Sequence, residues 1–264
     1  MLFRSVLSSQ LNAIFFTHMH NDHSEGFIDL LMHRWMFFPT NAKIDVVCSD
    51  DAASPLGFML SCKNFVKHIA DAMTQSGEVA QRVAENKLRP ASGPVAIAEL
   101  KTFDAKNEPR VVWSSGDVKV SAVRSTHIPG HASYRVDTPA GSIVIGGDAG
   151  NDTFAPPRTS STSAQVETLA KGADIIVHSA IHPVMGPDRD SGMPPPIFYR
   201  QSSAMDLGAM AQRAGAKHLV LTHLIPAPGA PQQGAWKVPG GPLTEGDYRK
   251  AAQEGGYTGS IVIA

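Results

Sequence analysis

The sequence predicts an α/β protein built around a mixed sheet, and three observations carry that prediction. Apolar runs of strand length alternate along the chain with segments of helical spacing. Two strand-like runs, 132–138 and 141–147, are joined by the tight turn Thr138-Pro139-Ala140-Gly141. The composition is globular: 264 residues, 42% hydrophobic and 18% charged. That length supports a substantial core, as one large domain or two small ones.

The first strand is expected at 12–17, on the apolar run Ala13-Ile14-Phe15-Phe16. Directly after it the chain packs three histidines and an aspartate into the six positions from His18 to His23, in a protein with 11 histidines in all. Imidazole nitrogens and carboxylate oxygens are the ligands that zinc and similar divalent metals take. On extended backbone, residues two apart point the same way, so His18 and His20 can grip one ion. Asp22 and His23 follow where the strand must end and can turn toward a second. The plain alternative is a histidine-rich surface turn.

A helix from about Ser24 to Phe37 is apolar on nearly all sides, as buried helices are. Ile44 to Cys48 reads as a strand. From about Ser54 to Pro109 the simple alternation breaks. Phe65, Ile69, Ala72 and Met73 share one helical face, and Pro90, Gly93 and Pro94 interrupt the chain beyond that helix. This stretch, about 54–110, reads as an insertion capping the metal site or, equally, as a peripheral helix pair. Strands resume at 117–125, 132–138 and 141–147. A Pro/Ser/Thr-rich loop covers 155–163, and a short helix runs to about Ala170. Ala173 to His178 is a buried strand, and the Pro/Gly-dense loop from Met185 to Pro196 rims the site. Ser203 and Asp206 resemble a capping box, opening a helix that Gly215 ends. A strand at 217–222, a helix near 244–254 and a strand at 260–263 close the chain.

Charge and cysteine content narrow the function classes. A net charge of −1 leaves no electrostatic footprint for nucleic acid or membrane, which weighs against a large RNA substrate. Two cysteines, Cys48 and Cys62, do not make a disulfide framework, and Cys48 is expected simply to be buried. No apolar stretch reaches transmembrane length; the longest, Trp35 to Phe38, is broken by Pro39. Arg4 and Gln10 interrupt any signal-peptide core at Met1, so a cytoplasmic location is expected.

The cluster His18-Met19-His20-Asn21-Asp22-His23 resembles the His-x-His-x-Asp-His pattern of the metallo-β-lactamase superfamily. That resemblance implies further ligands downstream, and each has a match. His127 follows the strand Asp117 to Arg124. Asp148 ends the strand Ser142 to Gly147 in a Gly-Gly-Asp context. His223 ends the strand Lys217 to Thr222. The match runs from about Leu11 to the C-terminus. It implies a four-layer αβ/βα sandwich over 1–264, with the metals at one edge between two sheets. His18, His20 and His127 would hold one zinc, and Asp22, His23 and His223 the other, with Asp148 bridging. Manganese or iron suits the same ligands. A metal-bound hydroxide would be the nucleophile, with Asp22 orienting it. Only 17 residues precede His18, and Leu2 to Leu7 looks like the helix that comes after several strands in proteins of this kind. The resemblance therefore implies a shortened N-terminus missing its first strands, with an exposed sheet edge that a homodimer could cover.

Within the superfamily the layout is most similar to the ribonuclease Z and arylsulfatase-like branch. Asp148-Ala149, the run Gly172 to His178, and Gln201-Ser202-Ser203-Ala204 carry that similarity. Members of the branch act on phosphodiesters in transfer-RNA precursors, cyclic nucleotides, sulfate esters and some β-lactams. Two departures matter. Ribonuclease Z enzymes have a Glu where this chain has Ser179 and a His where it has Gln201. Neither replacement titrates near neutral pH, so neither can act as a general acid, although Gln201 can donate a hydrogen bond to an oxyanion. His131 and His182 are candidates to contact substrate or to replace the acid; His178, His33, His68 and His218 are expected to be structural or exposed. The leading expectation is a dinuclear zinc hydrolase of an ester-type bond, phosphodiester first. β-Lactam or lactone hydrolysis is the alternative. A metal-binding protein with weak or no catalysis is the alternative of another class.

Overall fold

A computed structural model of the protein describes residues 10–37 and 43–264. The expected helix at Leu2 to Leu7 and the Phe38-Pro39 break lie outside those residues. The chain forms two compact units, Met1–Asp104 and Ala105–Ala264.

In the first unit, strands β1 (Ala13–Phe15), β2 (Ile44–Ser49) and β5 (Ala98–Phe103) make a parallel three-stranded sheet in the order β1-β2-β5. β3 (Ala52–Ala53) and β4 (Met59–Leu60) form a small separate hairpin. The helices are α1 (Phe27–Phe37), α2 (Cys62–Gln75) and α3 (Glu78–Glu85). β2 is buried almost continuously, as a parallel strand covered on both faces should be. α1 buries Phe27, Leu31, Arg34 and Trp35. That is one face at helical spacing, narrower than the all-round burial its composition suggested. Phe16, Trp35, Val46, Val66, Val79 and Ile97 share the core of the unit. The buried Arg34 is satisfied by the carbonyls of Leu11 and Lys43, at 2.9 and 2.7 Å.

Two sequence expectations change here. The stretch 54–110 supplies α2, α3 and β5, and β5 pairs with β2 along its whole length. With Val66, Val79 and Ile97 in the core, this stretch is built into the sheet rather than added outside it. Cys48, at the end of β2, and Cys62, opening α2, are joined in a disulfide. Nothing in a separation of 14 residues announces that bond; it follows from a strand and a helix packing on one core.

The second unit is built on a seven-stranded sheet. Its strands are β6 (Arg110–Ser115), β7 (Val118–Arg124), β8 (Ala132–Thr138), β9 (Gly141–Gly147), β10 (Ile175–Ile181), β11 (His218–Ile225) and β14 (Ser260–Ile263). Their order is β14-β11-β10-β9-β8-β7-β6. β6 to β9 run antiparallel through hairpins, whereas β9, β10, β11 and β14 are parallel. Helices α4 (Ala164–Ala170), α6 (Ala204–Ala214) and α7 (Glu245–Glu254) supply Val166, Leu207, Met210 and Tyr248 to the core against Val144, Ile176 and Leu219. A short helix α5 (Pro195–Tyr199) and a two-residue pair, β12 (Gln232–Gln233) with β13 (Trp236–Lys237), complete the unit.

The expected capping box on α6 is half formed. Ser203 accepts from the Asp206 amide, but the Asp206 carboxylate turns to the Ser161 amide and hydroxyl instead. The full box belongs to α7, between Thr244 and Asp247. The loop from Met185 to Pro196 packs Met185 and Met193 into a small core with Ile181 and Val238.

Candidate metal centre

The first unit gathers its histidines by a change of backbone. β1 ends at Phe15, and the buried Phe16 holds the sheet through its amide to the Val47 carbonyl, 3.0 Å. The chain is still extended at His20 and then tightens into a 3-10 turn over Asn21–His23. The Ser24 hydroxyl stops that turn by donating to the His20 carbonyl at 2.9 Å. The result folds His23 back toward His18, whose ring centroids are 4.2 Å apart, while His18 Nε2 lies 2.9 Å from His20 Nδ1. His18 Nδ1 contacts the Thr17 hydroxyl at 3.1 Å, which leaves Nε2 as the nitrogen turned to His20. Asp22 sits beside His23 at 3.5 Å with its carboxyl half exposed. His18 therefore stands against both His20 and His23, and Asp22 lies beside His23.

The second unit presents its ligands through two irregularities beside β10. Between β10 and β9 the register passes from Val177 opposite Ile145 to His178 opposite Gly147, so Gly146 is an extra residue. Between β10 and β11 it passes from Ser179 opposite Thr222 to Ala180 opposite Leu224, so His223 is the extra residue. Such bulges re-aim the side chains at a strand end. At His223 the aim costs something: its φ is +46°, a left-handed conformation that non-glycine residues seldom take and that concentrates at functional sites. Gly146 is required because the His178 ring occupies the place a Cβ would take.

These devices bring His127 Nε2 to 3.7 Å and His223 Nε2 to 3.9 Å from one oxygen, Oδ2, of the buried Asp148. Both distances exceed a hydrogen bond. They lie near the roughly 3.4 Å that separates two ligands on a tetrahedral ion with bonds of about 2.1 Å. The donor set, imidazole nitrogen around a shared carboxylate, fits a divalent metal. His127 is backed by the Arg200 carbonyl, 3.5 Å from Nδ1. That carbonyl also lies where a side chain at Gly150 would project, so only glycine fits there.

His131 has a different role from the one its sequence position suggests. It is 1% exposed, and both ring nitrogens are engaged. Nε2 accepts the Asp148 amide at 3.2 Å, so Nδ1 carries the proton and donates to the Ser125 hydroxyl at 2.8 Å. Ser125 in turn meets Ser133 at 2.7 Å, and Ser133 donates to the Gly146 carbonyl at 2.7 Å. The chain of donors has one direction and fastens the end of β9 from both sides of the bulge. His131 therefore positions Asp148 rather than reaching substrate. Ser125 and Ser133 carried no signal in the sequence, because their role depends on which strands pair.

His182 is also engaged structurally. Its Nδ1 accepts the Val184 amide at 3.2 Å and its ring packs edge-on against Tyr248. Burial lowers its pKa, with the Asp247 backbone as a hydrogen-bond partner opposing that shift. A ring with its Nδ1 lone pair already used, held neutral by burial, does not suit a general acid. His178 is buried on β10 as expected; burial lowers its pKa, and its Nδ1 donates to the Ser179 carbonyl at 2.8 Å. His33, His68 and His218 are exposed.

No family model matches the chain. Ribonuclease Z of Mycobacterium sp. (strain KMS) is 24% identical to it over 236 residues, covering 88% of this chain and 72% of that protein. The metallo-β-lactamase fold protein YhfI from Bacillus subtilis superposes with a TM-score of 0.58 at 16% identity, over 98% of this chain and 77% of that one. Human tRNase Z, short form, gives 0.55 at 16% identity, over 98% and 78%. The chain has the metallo-β-lactamase fold and is similar in sequence to ribonuclease Z proteins. Asp148 directly follows β9 and His223 lies near the C-terminal end of β11, the two strands that flank β10. The ribonuclease Z-like likeness also locates the two departures. An isolated parallel bridge pairs Ile181 with Ser203. Both replaced positions, Ser179 and Gln201, are buried.

Proposed function

We propose that the protein hydrolyses a phosphodiester or related ester with two divalent ions. In this reading His18, His20, Asp22, His23, His127, Asp148 and His223 are the metal ligands. The observation that supports it best is the single buried Asp148 oxygen faced by the imidazoles of His127 and His223. Bound ions of this kind lower the pKa of a coordinated water toward neutrality and stabilise the charge that develops on the substrate. Zinc is the default for these ligands, and manganese or iron suits them too.

The protein's own groups do the rest. The half-exposed Asp22 carboxylate accepts a hydrogen bond from the attacking water and so orients it. The Gln201 carboxamide donates to an oxygen that gains negative charge. Neither Ser179 nor Gln201 can protonate a leaving group, which favours esters whose leaving group departs as a stable anion, such as aryl phosphodiesters. An RNA 3′-oxygen is a poorer fit, although the relatives at 24% identity are named ribonuclease Z. The missing acid equally suits a lactone or β-lactam, which keeps that second reading in view.

The test is metal analysis with a chromogenic panel. Two zinc ions per chain and turnover of bis-p-nitrophenyl phosphate, reduced about 10³-fold in His127→Ala, are expected, a loss comparable to removing a principal transition-state stabiliser. Turnover of nitrocefin alone would select the lactam reading. Tight zinc binding with no turnover of any substrate would leave a metal-binding protein and sink both hydrolase readings.

A further inference from the structure

We propose that Thr126 and Asp152 are positioning residues that set His127 against Asp148, the Asp152 carboxylate fixing the ligand geometry without being a ligand. The proposal rests on the ligand set given above and adds the residues that hold it in place. Its first support is topological. In the sheet β8 lies between β7 and β9, so no ladder hydrogen bond joins the strand that leads to His127 with the strand that leads to Asp148. Beyond the strand ends that changes. Thr126 and Gly150 pair in an isolated antiparallel bridge, and the Gly150 amide donates to the Thr126 carbonyl at 2.7 Å. The loop after β7 thus meets the loop after β9 directly, past the end of β8. This crossing, rather than the sheet, sets how far His127 stands from Asp148.

The second support is a side-chain network that repeats the same tie. The Thr126 hydroxyl donates to Oδ1 of Asp152. Oδ2 of Asp152 accepts from the Gln165 carboxamide at 2.8 Å, and the Gln165 oxygen accepts from the Ser163 hydroxyl at 2.8 Å. Ser163 caps the N-terminus of α4, where its hydroxyl accepts the Val166 amide. The Arg124 guanidinium lies 4.0 Å from Oδ2 of the same carboxylate. A carboxylate accepts only, and a carboxamide has one donor end and one acceptor end, so the order Ser163, Gln165, Asp152 has one direction. Asp152 spends one oxygen on the ligand loop and the other on α4. Hydrogen bonds to an ionised acceptor are the stronger kind, which suits a tie made at an exposed residue.

The third support is the firmness of what Thr126 is tied to. Asn151, between the two residues that meet Thr126, donates its amide to the Ser161 carbonyl at 2.8 Å and its carboxamide to the Thr162 carbonyl at 3.2 Å. The receiving loop therefore has a fixed base. Thr126 and His127 are joined by one planar peptide, so a shift of Thr126 passes to the imidazole with little slack. Asp148 is held from its own side by His131. The two ligands are thus set by separate anchors, one for each. A carboxylate also attracts cations through space, and Thr126→Val separates the two effects: it removes the tie and keeps the charge.

The experiment measures zinc affinity by competition titration, and the absorption spectrum of bound cobalt(II), in wild type, Thr126→Val, Thr126→Ser, Asp152→Asn and the double variant Asp152→Asn/Gln165→Glu. Titrations are run well below each variant's metal-free melting midpoint, so a folding defect does not register as lost affinity. Thr126→Val should bind zinc about 10-fold more weakly, the low end of what removing a group that orients a ligand costs. It should also shift the ligand-field bands of cobalt. Thr126→Ser keeps the hydroxyl and should match wild type in both. Asp152→Asn leaves one oxygen for two donors and should lose about as much as Thr126→Val. Adding Gln165→Glu restores an acceptor opposite the new amide, and most of the loss should be recovered. Wild-type zinc affinity and cobalt spectrum in Thr126→Val would overturn the proposal, as would an equal loss in Thr126→Ser. If wild type binds zinc and hydrolyses no ester while Thr126→Val weakens zinc, the hydrolase reading falls and the positioning role stands. If wild type turns over the phosphodiester and Thr126→Val keeps its zinc affinity and cobalt spectrum, the positioning role alone falls.

Discussion

A buried histidine can be a ligand, an acid or a strut, and what its two nitrogens touch decides which. His127 turns Nε2 toward Asp148, as a ligand would. His131 spends one nitrogen on the Asp148 amide and the other on Ser125, so it acts as a strut for the residue that the two ions would share. In His131→Ala the buried Asp148 amide and the Ser125 hydroxyl lose partners, which should lower stability by about 1–3 kcal/mol. Zinc affinity should fall about 10- to 100-fold, the usual effect of removing a group that orients a ligand. His131→Gln should restore part of both, since a carboxamide oxygen can accept the same amide hydrogen. Thermal melts and a competition titration for zinc measure the two effects; unchanged zinc affinity in His131→Ala would show that Asp148 is placed without help.

At the scale of elements, the sheet of the second unit is laced at the end opposite the ligands. The Asp174 carboxylate, just before β10, accepts from the Ser142 amide at the start of β9 and from Lys217 just before β11. The Lys217 hydrogen bond leads the causes that hold its pKa at about 2. A carboxylate held below its ordinary value near 3.9 stabilises the fold above that value. The contribution is lost as pH falls toward 2. Asp174→Asn should therefore lower the melting temperature by a constant amount from pH 7 to about pH 5, and by a shrinking amount below pH 4. A difference as large at pH 3 as at pH 7 would mean that the charge is not what Asp174 supplies. Most elements were legible in the sequence to within a few residues, because apolar runs such as Ile44 to Cys48 end at residues that cannot continue them. The seven proposed ligand positions stand out in the sequence as a pattern of residue types. The bulges at Gly146 and His223 do not, since a register shift exists only relative to a neighbouring strand.

For the molecule as a whole, the proposed ligands come from widely separated parts of the sequence, from His18 to His223. An ion held by ligands that only folding brings together binds the folded chain alone, so it stabilises by mass action, by about 2.7 kcal/mol at a hundredfold excess over Kd. Removing metal with a chelator should lower the thermal midpoint of the holoprotein by several degrees and abolish hydrolysis, and added zinc should restore both. Calorimetric scans with and without chelator read this directly. A midpoint that stays put while the ions leave would separate metal binding from folding. Among the described residues no helix is long and apolar enough to cross a membrane.

A pleated strand addresses its two faces in turn, so one extra residue works as a frameshift written in space. Gly146 is such a residue: the reading frame of β9 changes two positions before Asp148, and that of β11 changes at His223 itself. A chain lacking Gly146 would still spell every ligand in the same order, and a pattern search would accept it. Its aspartate would nonetheless arrive on the wrong face of the sheet. Two sequences equal in every ligand letter can thus differ in whether they have a site at all, and the difference lies in a residue that touches no metal.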